Sequence, residues 1–455
     1  MLAPAATVVG LALLLLLPAL YNGYPVLFAD TADYLLRSQS LAPSPIRASG
    51  YSVWIRLTGG GLTLWLPVVA QSLLLAALIW RTLRLFGNPR GVTILGAGAA
   101  LVLGTSVAWA SSKAMPDIFI AMLILGLYLV AVHWEQLGVA ARTMASASVI
   151  IGGTMHLTNL LVGAAALGAI ALLQQWTARP VGPRRARVGA ALLLVVSAGL
   201  TRGYDYARRD DAAPRWNGSM FILSHLVETG LAQKLLQERC GTESFALCPV
   251  RDTLTRSVET FVWRPEQGPR NRVLRDDPQL IRAETNHILG GIIRRHPLAL
   301  GWSIIGYTAE QLVTFRVNDD IWRHEHRTHV QRAIAQVFPR DLPAQERARQ
   351  QSNTLRLSWS TMVHLIVFLA AAAFSIITLR RMVAAKVLSV TGTAALHVVV
   401  WVALVVNAAL CANLASVFSR YQSRVSWLLP LAVLATAIER GALRWPVRRP
   451  YPATT

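Results

Sequence analysis

Ten stretches of this chain are almost uninterrupted apolar sequence, and a chain that must bury ten of them has few folds open to it. They run at about 3–21, 62–80, 91–110, 117–134, 144–154, 157–175, 188–203, 358–379, 387–413 and 424–439. A helix needs roughly 20 apolar residues to cross the hydrocarbon core of a bilayer. Inside lipid every backbone N–H and C=O must be satisfied within the segment, so such runs are read as helices. Composition agrees: 15% of the 455 residues are charged and 54% are hydrophobic, against about 25% charged in a typical soluble domain. The fold class read from this is all-α, a polytopic membrane bundle of about ten transmembrane helices. The fifth run is short and merges with the sixth around Met155–Asn159, where a broken or re-entrant helix is expected. The first run lacks a basic flank and a convincing cleavage site before Asn22, and is read as a retained span rather than a signal peptide.

The net charge is +21, a value that first suggests nucleic acid. The basic residues form no single patch, however, and nucleic-acid binding is excluded on that ground. They cluster at the ends of the apolar runs: Arg81, Arg84 and Arg90; Arg142; Arg179, Arg184, Arg185 and Arg187; Arg380, Arg381 and Lys386; Arg440, Arg444, Arg448 and Arg449. If all ten runs span, every one of these clusters falls on one side, which the positive-inside rule makes the cytoplasm. Both termini are then cytoplasmic. The opposite face collects 24–57, 111–117, 155–159, the long polar insert 204–357, and 416–424.

Three domains are expected: an N-terminal transmembrane module over 1–203, an extracytoplasmic and mostly helical insert over 204–357, and a C-terminal transmembrane module with a basic tail over 358–455. In the insert, Ser219 to Leu236 has apolar residues at near-helical period, and Pro278–Arg295 and Pro297–Phe315 also read as helices. The last is apolar enough to lie along a membrane surface. Cys240 and Cys248 are close enough to form a disulfide in an oxidising compartment, whereas Cys411 lies in an apolar run as a core residue. Asn217-Gly218-Ser219 matches a glycosylation triplet by accident of a short pattern. The stretch His324-Glu325-His326-Arg327-Thr328-His329 lacks the His-Glu-x-x-His spacing of zinc hydrolases, so no metal and no other cofactor is expected. No Gly-rich phosphate loop, nucleophile elbow or kinase signature is present, which leaves ATP-driven transport without support.

The candidate chemistry lies on the face away from the basic clusters. Asp30 and Asp33 follow the first run; either could cap or charge the first turn of a helix, but Asp33 already serves that turn, so Asp30 is left for another role. Asp117, behind Pro116, opens the fourth run. It too suits a first turn, yet an acid at membrane depth is costly and often functional. His156, Thr158 and Asn159 form a polar cluster in apolar surroundings. Arg420 and Arg424, in Phe418-Ser419-Arg420-Tyr421-Gln422-Ser423-Arg424, run against the charge trend: they either snorkel to the interface or clamp a phosphate, to which guanidinium binds bidentately.

This constellation resembles the GT-C superfamily of integral membrane glycosyltransferases, which includes protein O-mannosyltransferases and the aminoarabinose transferases of lipid A. Asp30 with Tyr34 matches the functional Asp of the family's first extracytoplasmic loop and the aromatic residue a turn later. Arg47-Ala48-Ser49-Gly50-Tyr51 is similar to the basic, Gly-Tyr-containing end of that loop, and Met115-Pro116-Asp117 to the second acid. The likeness covers roughly residues 1–175; the placement of the insert before the last spans departs from many members, and Phe418–Arg424 matches by role alone.

The resemblance implies an inverting transferase in the inner membrane of a bacterium, with its site facing the periplasm. It would move a sugar from a polyprenyl-phosphate donor to a lipid, glycan or protein acceptor. Asp30 would be the base, Asp33 and Asp117 its supports, Tyr34, His156, Asn159 and Tyr421 substrate-binding residues, and Arg47, Arg420 and Arg424 the phosphate cations. Two other classes fit the topology: a transporter or flippase for a lipid-linked intermediate, and an assembly scaffold whose insert binds partners.

Overall fold

The computed structural model is all-helical and describes residues 4–44, 46–175, 182–208, 218–264, 270–317, 321–324, 328–357, 359–384 and 392–443. The first apolar run is two helices, α1 (Pro4–Leu15) and α2 (Leu17–Asn22), closed by Gly23 at φ +81°. The loop after it carries α3 (Thr31–Ser40) and α4 (Gly50–Gly59) before α5 (Trp65–Arg84). The bundle continues through α6 (Gly91–Gly104), a short α7 (Val107–Ser112), α8 (Phe119–His133), α9 (Val139–Met155), α10 (Leu157–Gln175) and α11 (Arg184–Ala207). The insert holds α12 (Ser219–Glu228), α13 (Leu231–Arg239), α14 (Pro278–Arg295), α15 (Pro297–Val313), α16 (His329–Val337) and α17 (Leu342–Arg347). The chain ends in α18 (Ser360–Ala384), α19 (Thr393–Leu414), α20 (Ser419–Ser426) and α21 (Leu428–Glu439).

Six of these elements are long and apolar enough to cross a membrane: α5, the Pro116–Gln136 segment around α8, α10, α11, α18 and α19. This is a membrane protein. The remaining runs are shorter helices among the described residues, of 12 residues in α1, 14 in α6, 17 in α9 and 12 in α21. Runs five and six are separate helices, broken where His156 takes an extended conformation.

The core is built around α8. Every one of its residues is buried, which is why its sequence is apolar on all sides rather than striped. Its closest neighbour, α9, runs antiparallel. A Cβ at Gly126 would meet Ala145 O at 2.7 Å, and one at Gly152 would meet Phe119 O at 2.6 Å. Two glycines, one from each helix, bring the backbones together, as small residues do in membrane helix packing.

The two ends of the bundle differ in charge. Arg81, Arg142 and Arg185 converge on one turn, Trp134–Gln136, bonding Gln136 O, Trp134 O and the Glu135 carboxylate. Arg179, Lys386, Arg444, Arg448 and Arg449 lie outside the described residues. The first loop, the Lys113–Asp117 stretch, α20 and the insert gather at the other end.

Among the described residues the insert contributes to three hydrophobic clusters. Residues from α12 to α14 form a core of their own around Leu223, Leu235, Phe261 and Ile288, stapled by the Cys240–Cys248 disulfide (Cα–Cα 5.7 Å). Phe315, Val330, Ile334 and Phe338 instead join the core of the bundle, and Val317, Ile321 and Leu355 pack with Val26 and Trp109 in a small cluster. The single helix read from Ser219 onward is interrupted: Gly230 at φ +79° starts α13 afresh, and the Arg256 guanidinium occupies the space where a Cβ would stand. In contrast, α14 keeps the limits read from sequence, because Asp277 caps it by accepting from the N–H of Gln279 (2.8 Å) and Leu280 (3.3 Å) ahead of Pro278. Helix α15 leaves Leu298, Trp302 and Ile305 exposed along one stripe while it packs on α19. Asn217, Glu325, His326 and Arg327 lie outside the described residues.

Candidate functional site

The first loop is held in place by backbone pairing before any site residue is considered. Val26 forms a bridge with Lys113: its N–H donates to Ser112 O (3.0 Å), and its carbonyl accepts from the Ala114 N–H (2.9 Å). Thr31 donates to Ala114 O (3.2 Å). These bonds tie the loop that carries Asp30 to the strand-like stretch that leads into Asp117.

Buried glutamines clamp the same region. The Gln350 amide accepts from Leu27 N–H (3.0 Å) and donates to Leu27 O (2.8 Å), so it acts as a missing peptide group. Gln311 does the same at Phe418, accepting from its N–H (3.0 Å) and donating to its carbonyl (3.0 Å). Gln71 donates to Ser111 O and Lys113 O, both at 2.8 Å. All three side chains are shut off from solvent, where an unpaired backbone group would cost about 1–3 kcal/mol. Two of them come from the insert and its continuation. They fix the loop positions just ahead of Asp30 and Arg420.

Asp30 receives a guanidinium on each oxygen. Arg47 Nη2 reaches Oδ1 at 2.5 Å and Arg420 Nη1 reaches Oδ2 at 3.0 Å. Asp33 sits one turn on and is held by Arg37 (2.8 Å), Ser44 (3.0 Å) and the other arm of Arg47 (3.4 Å). Burial by itself would push the Asp30 carboxyl up; the charges of Arg420 and Arg47, and their hydrogen bonds, outweigh it and hold Asp30 below the usual carboxylate range. Yet Asp30 is reachable: 17% of its side chain is exposed, matched by 16% of Arg47 and 17% of Arg420.

Asp117 forms a second, closed pair. Arg424 Nη1 reaches its Oδ1 at 3.3 Å, with only 5% and 9% of the two side chains exposed. The other amino group of Arg424 meets Asn407 Oδ1 (2.9 Å) and the Cys411 sulfur (3.2 Å). Asn407 also donates to Tyr421 O (2.7 Å) and Gln422 Oε1 (3.0 Å), which locks α20 onto α19.

The connection between the last two apolar runs carries a helix, α20, and Arg420 and Arg424 are one turn apart on it. Each reaches a different acid from a different part of the chain. The Tyr421 ring lies between them, 5.0 Å from the Arg420 guanidinium carbon and 5.4 Å from that of Arg424, and Phe28 covers Arg420 at 4.5 Å.

The remaining sequence candidates divide. Tyr34 is buried beneath Arg47 (6.0 Å) and packs edge-on against Tyr51 (5.3 Å). His156 is solvent-open, with Arg424, Asp117, Arg420 and Arg47 all within electrostatic reach, and its ring nitrogen pairs locally with the Thr158 hydroxyl (2.9 Å). Asn159 is buried and donates to Gly152 O (2.9 Å), closing the break between α9 and α10. Sequence reasoning missed Arg37, Asn407, Gln311 and Gln350. Arg37 had a readable signal, the i,i+4 spacing from Asp33. Asn407 had a fainter one, an amide alone in an apolar run. The glutamines had none.

Among the described residues no cluster of three or more His, Cys, Asp or Glu could hold a metal ion. The chain matches no protein-family model, no curated protein and no solved structure in the three comparisons made.

Proposed function

We propose that this membrane protein is a glycosyltransferase of the GT-C kind, with about ten spans, that moves a sugar from a polyprenyl-phosphate donor to a hydroxyl acceptor at the outer face of a bacterial inner membrane. The observation that supports this most is the joint placement of an accessible carboxylate, Asp30, between Arg47 and Arg420 at the end of the bundle away from the basic clusters. Transfer from a phosphate needs a cation for the leaving group and a base for the incoming hydroxyl; both are within one contact here.

In this reading Asp30 takes the acceptor's hydroxyl proton. The acceptor oxygen attacks the anomeric carbon and the bond from that carbon to the phosphate oxygen breaks. Its electron pair stays on the polyprenyl phosphate, whose charge Arg420 and Arg47 receive. Attack opposite the leaving group inverts the anomeric centre. Asp117 is too enclosed to meet an acceptor, so it orients Arg424 and, through α20, Arg420. The exposed stripe of α15, Leu298, Trp302 and Ile305, would rest on the lipid surface from which the donor arrives, and the insert 204–357 would select the acceptor.

The test is transfer by the purified protein in detergent, from a polyprenyl-phosphate sugar. Asp30→Asn should lower the rate by about 10²–10⁴ while the protein still accumulates in the membrane. A wild-type rate in Asp30→Asn removes Asp30 as base. A flippase would transfer no sugar in detergent at all.

A further inference from the structure

Both oxygens of Asp30 are occupied by the two guanidiniums that a donor phosphate would need. The groups around this carboxylate are Arg47, Tyr34 and Asp33 from the first loop and α3, Arg420 and Tyr421 from α20, and His329 of α16, whose ring pairs with Ala29 O (3.1 Å). Asp117 and His156 lie further into the same cluster. A carboxylate gripped by two cations is a feeble base, and cations gripping a carboxylate are poorly available to a phosphate. We propose, building on the glycosyltransferase reading, that donor binding is an exchange of ion pairs: the phosphodiester takes Arg420 and Arg47 from Asp30, and the carboxylate becomes a competent base only when the donor is in place.

The site is built for such an exchange. Arg420 lies against the rings of Phe28 and Tyr421, and its second amino group donates to the Tyr421 hydroxyl at 3.5 Å, so the guanidinium stays supported when Nη1 leaves Asp30. Arg47 already divides its two amino groups between Asp30 and Asp33, so it can yield one contact and keep the other. Asp30, once released, is left in a desolvating environment that favours its protonated form. The base is thereby silenced in the empty enzyme, and the order of binding is donor first.

The exchange makes an anion compete with Asp30, so removing the competitor must strengthen anion binding. A prenyl methyl phosphodiester, which does not titrate near neutrality, is the probe, with dimethyl phosphate as the arm that lacks a lipid. Calorimetry in detergent compares wild type, Asp30→Asn and Asp30→Ala, each first checked for a single size-exclusion peak. Both variants should bind the prenyl probe about tenfold more tightly, because the arginines no longer leave a competing partner. Tightening with dimethyl phosphate as well would assign the effect to the headgroup alone; tightening only with the prenyl probe would assign it to a lipid-borne phosphate. Equal or weaker binding by the variants overturns the exchange and leaves the glycosyltransferase reading standing. Failure of all three proteins to bind the prenyl probe overturns both. In wild type alone, binding at about pH 5 to 6 should take up protons, read from the buffer dependence of the heat, and Asp30→Asn should lose that uptake. Absence of any difference between the two also overturns the exchange.

Discussion

Arg424 and Asp117 show what a charge pair does when it is closed off from solvent. Their attraction offsets the desolvation of both charges only while both are present. Arg424→Ala should therefore destabilise the protein by about 3–5 kcal/mol, since it strands Asp117. The double change Asp117→Asn with Arg424→Gln should recover most of that loss in a thermal unfolding series in detergent. Asp30 makes a different contribution, tied to pH. Its folded value lies below the ordinary one of about 4, so its pairing adds stability above that pH and loses it as the pH falls through the lower folded value. Unfolding midpoints measured from about pH 7 to 3 should drop more steeply in wild type than in Asp30→Asn. At this scale the acids and arginines were legible because charges are conspicuous in apolar sequence. What paired with what was not: Asp30 and Arg420 are 390 positions apart, and no local pattern encodes such a contact.

Helix α20 explains the limits of pattern reading at the scale of elements. Ser-Arg-Tyr-Gln-Ser-Arg has no apolar period, and the sequence marks it only as the connection between the last two runs. It folds as a helix whose buried polar side chains find polar partners: Gln422 bonds Asn407 and Leu404 O, and Arg424 bonds Asp117. The α9 boundary was misjudged for another reason: small, polar and exposed residues at its start, Val139 to Thr143, lower its hydropathy, and the buried face begins only at Ala145 and Ser148, packed against α8. That packing makes a test. Gly152→Ala should cost about 1–3 kcal/mol, because its methyl would meet Phe119 O and Leu123. Gly168→Ala, in α10 with nothing within 4 Å of its Cβ, should be neutral or slightly stabilising. Paired thermal unfolding of the two variants measures the difference.

For the whole molecule, hydropathy gave the class of fold, and the arginines grouped the loops. The structure agrees in bringing Arg81, Arg142 and Arg185 to one turn, far along α8 from Asp117. The insert was harder. Its hydrophobic residues serve three clusters, and nothing in their local spacing tells Ile288, which packs within the insert, from Ile334, which packs onto the bundle, or Ile321, which packs with Val26 and Trp109. Orientation is open to a direct measurement. In cells, Arg56→Cys should react with an impermeant thiol reagent from outside, and Arg90→Cys only after permeabilisation; both positions are solvent-exposed. Cys411 is buried and Cys240 is bonded to Cys248, so neither should add background.

The clamps on the first loop also have a consequence for biogenesis. Leu27 waits for Gln350, Asp117 for Arg424, and Asp30 for Arg420. At about 5–20 residues per second, a ribosome delivers Arg420 roughly 20 to 80 s after Asp30 has emerged. Over that interval Asp30 has Arg47, from its own loop, but not Arg420, and Leu27 gains Gln350 only toward the end of it. A chain that stops short of residue 420 therefore lacks both the Arg420–Asp30 and the Arg424–Asp117 contacts.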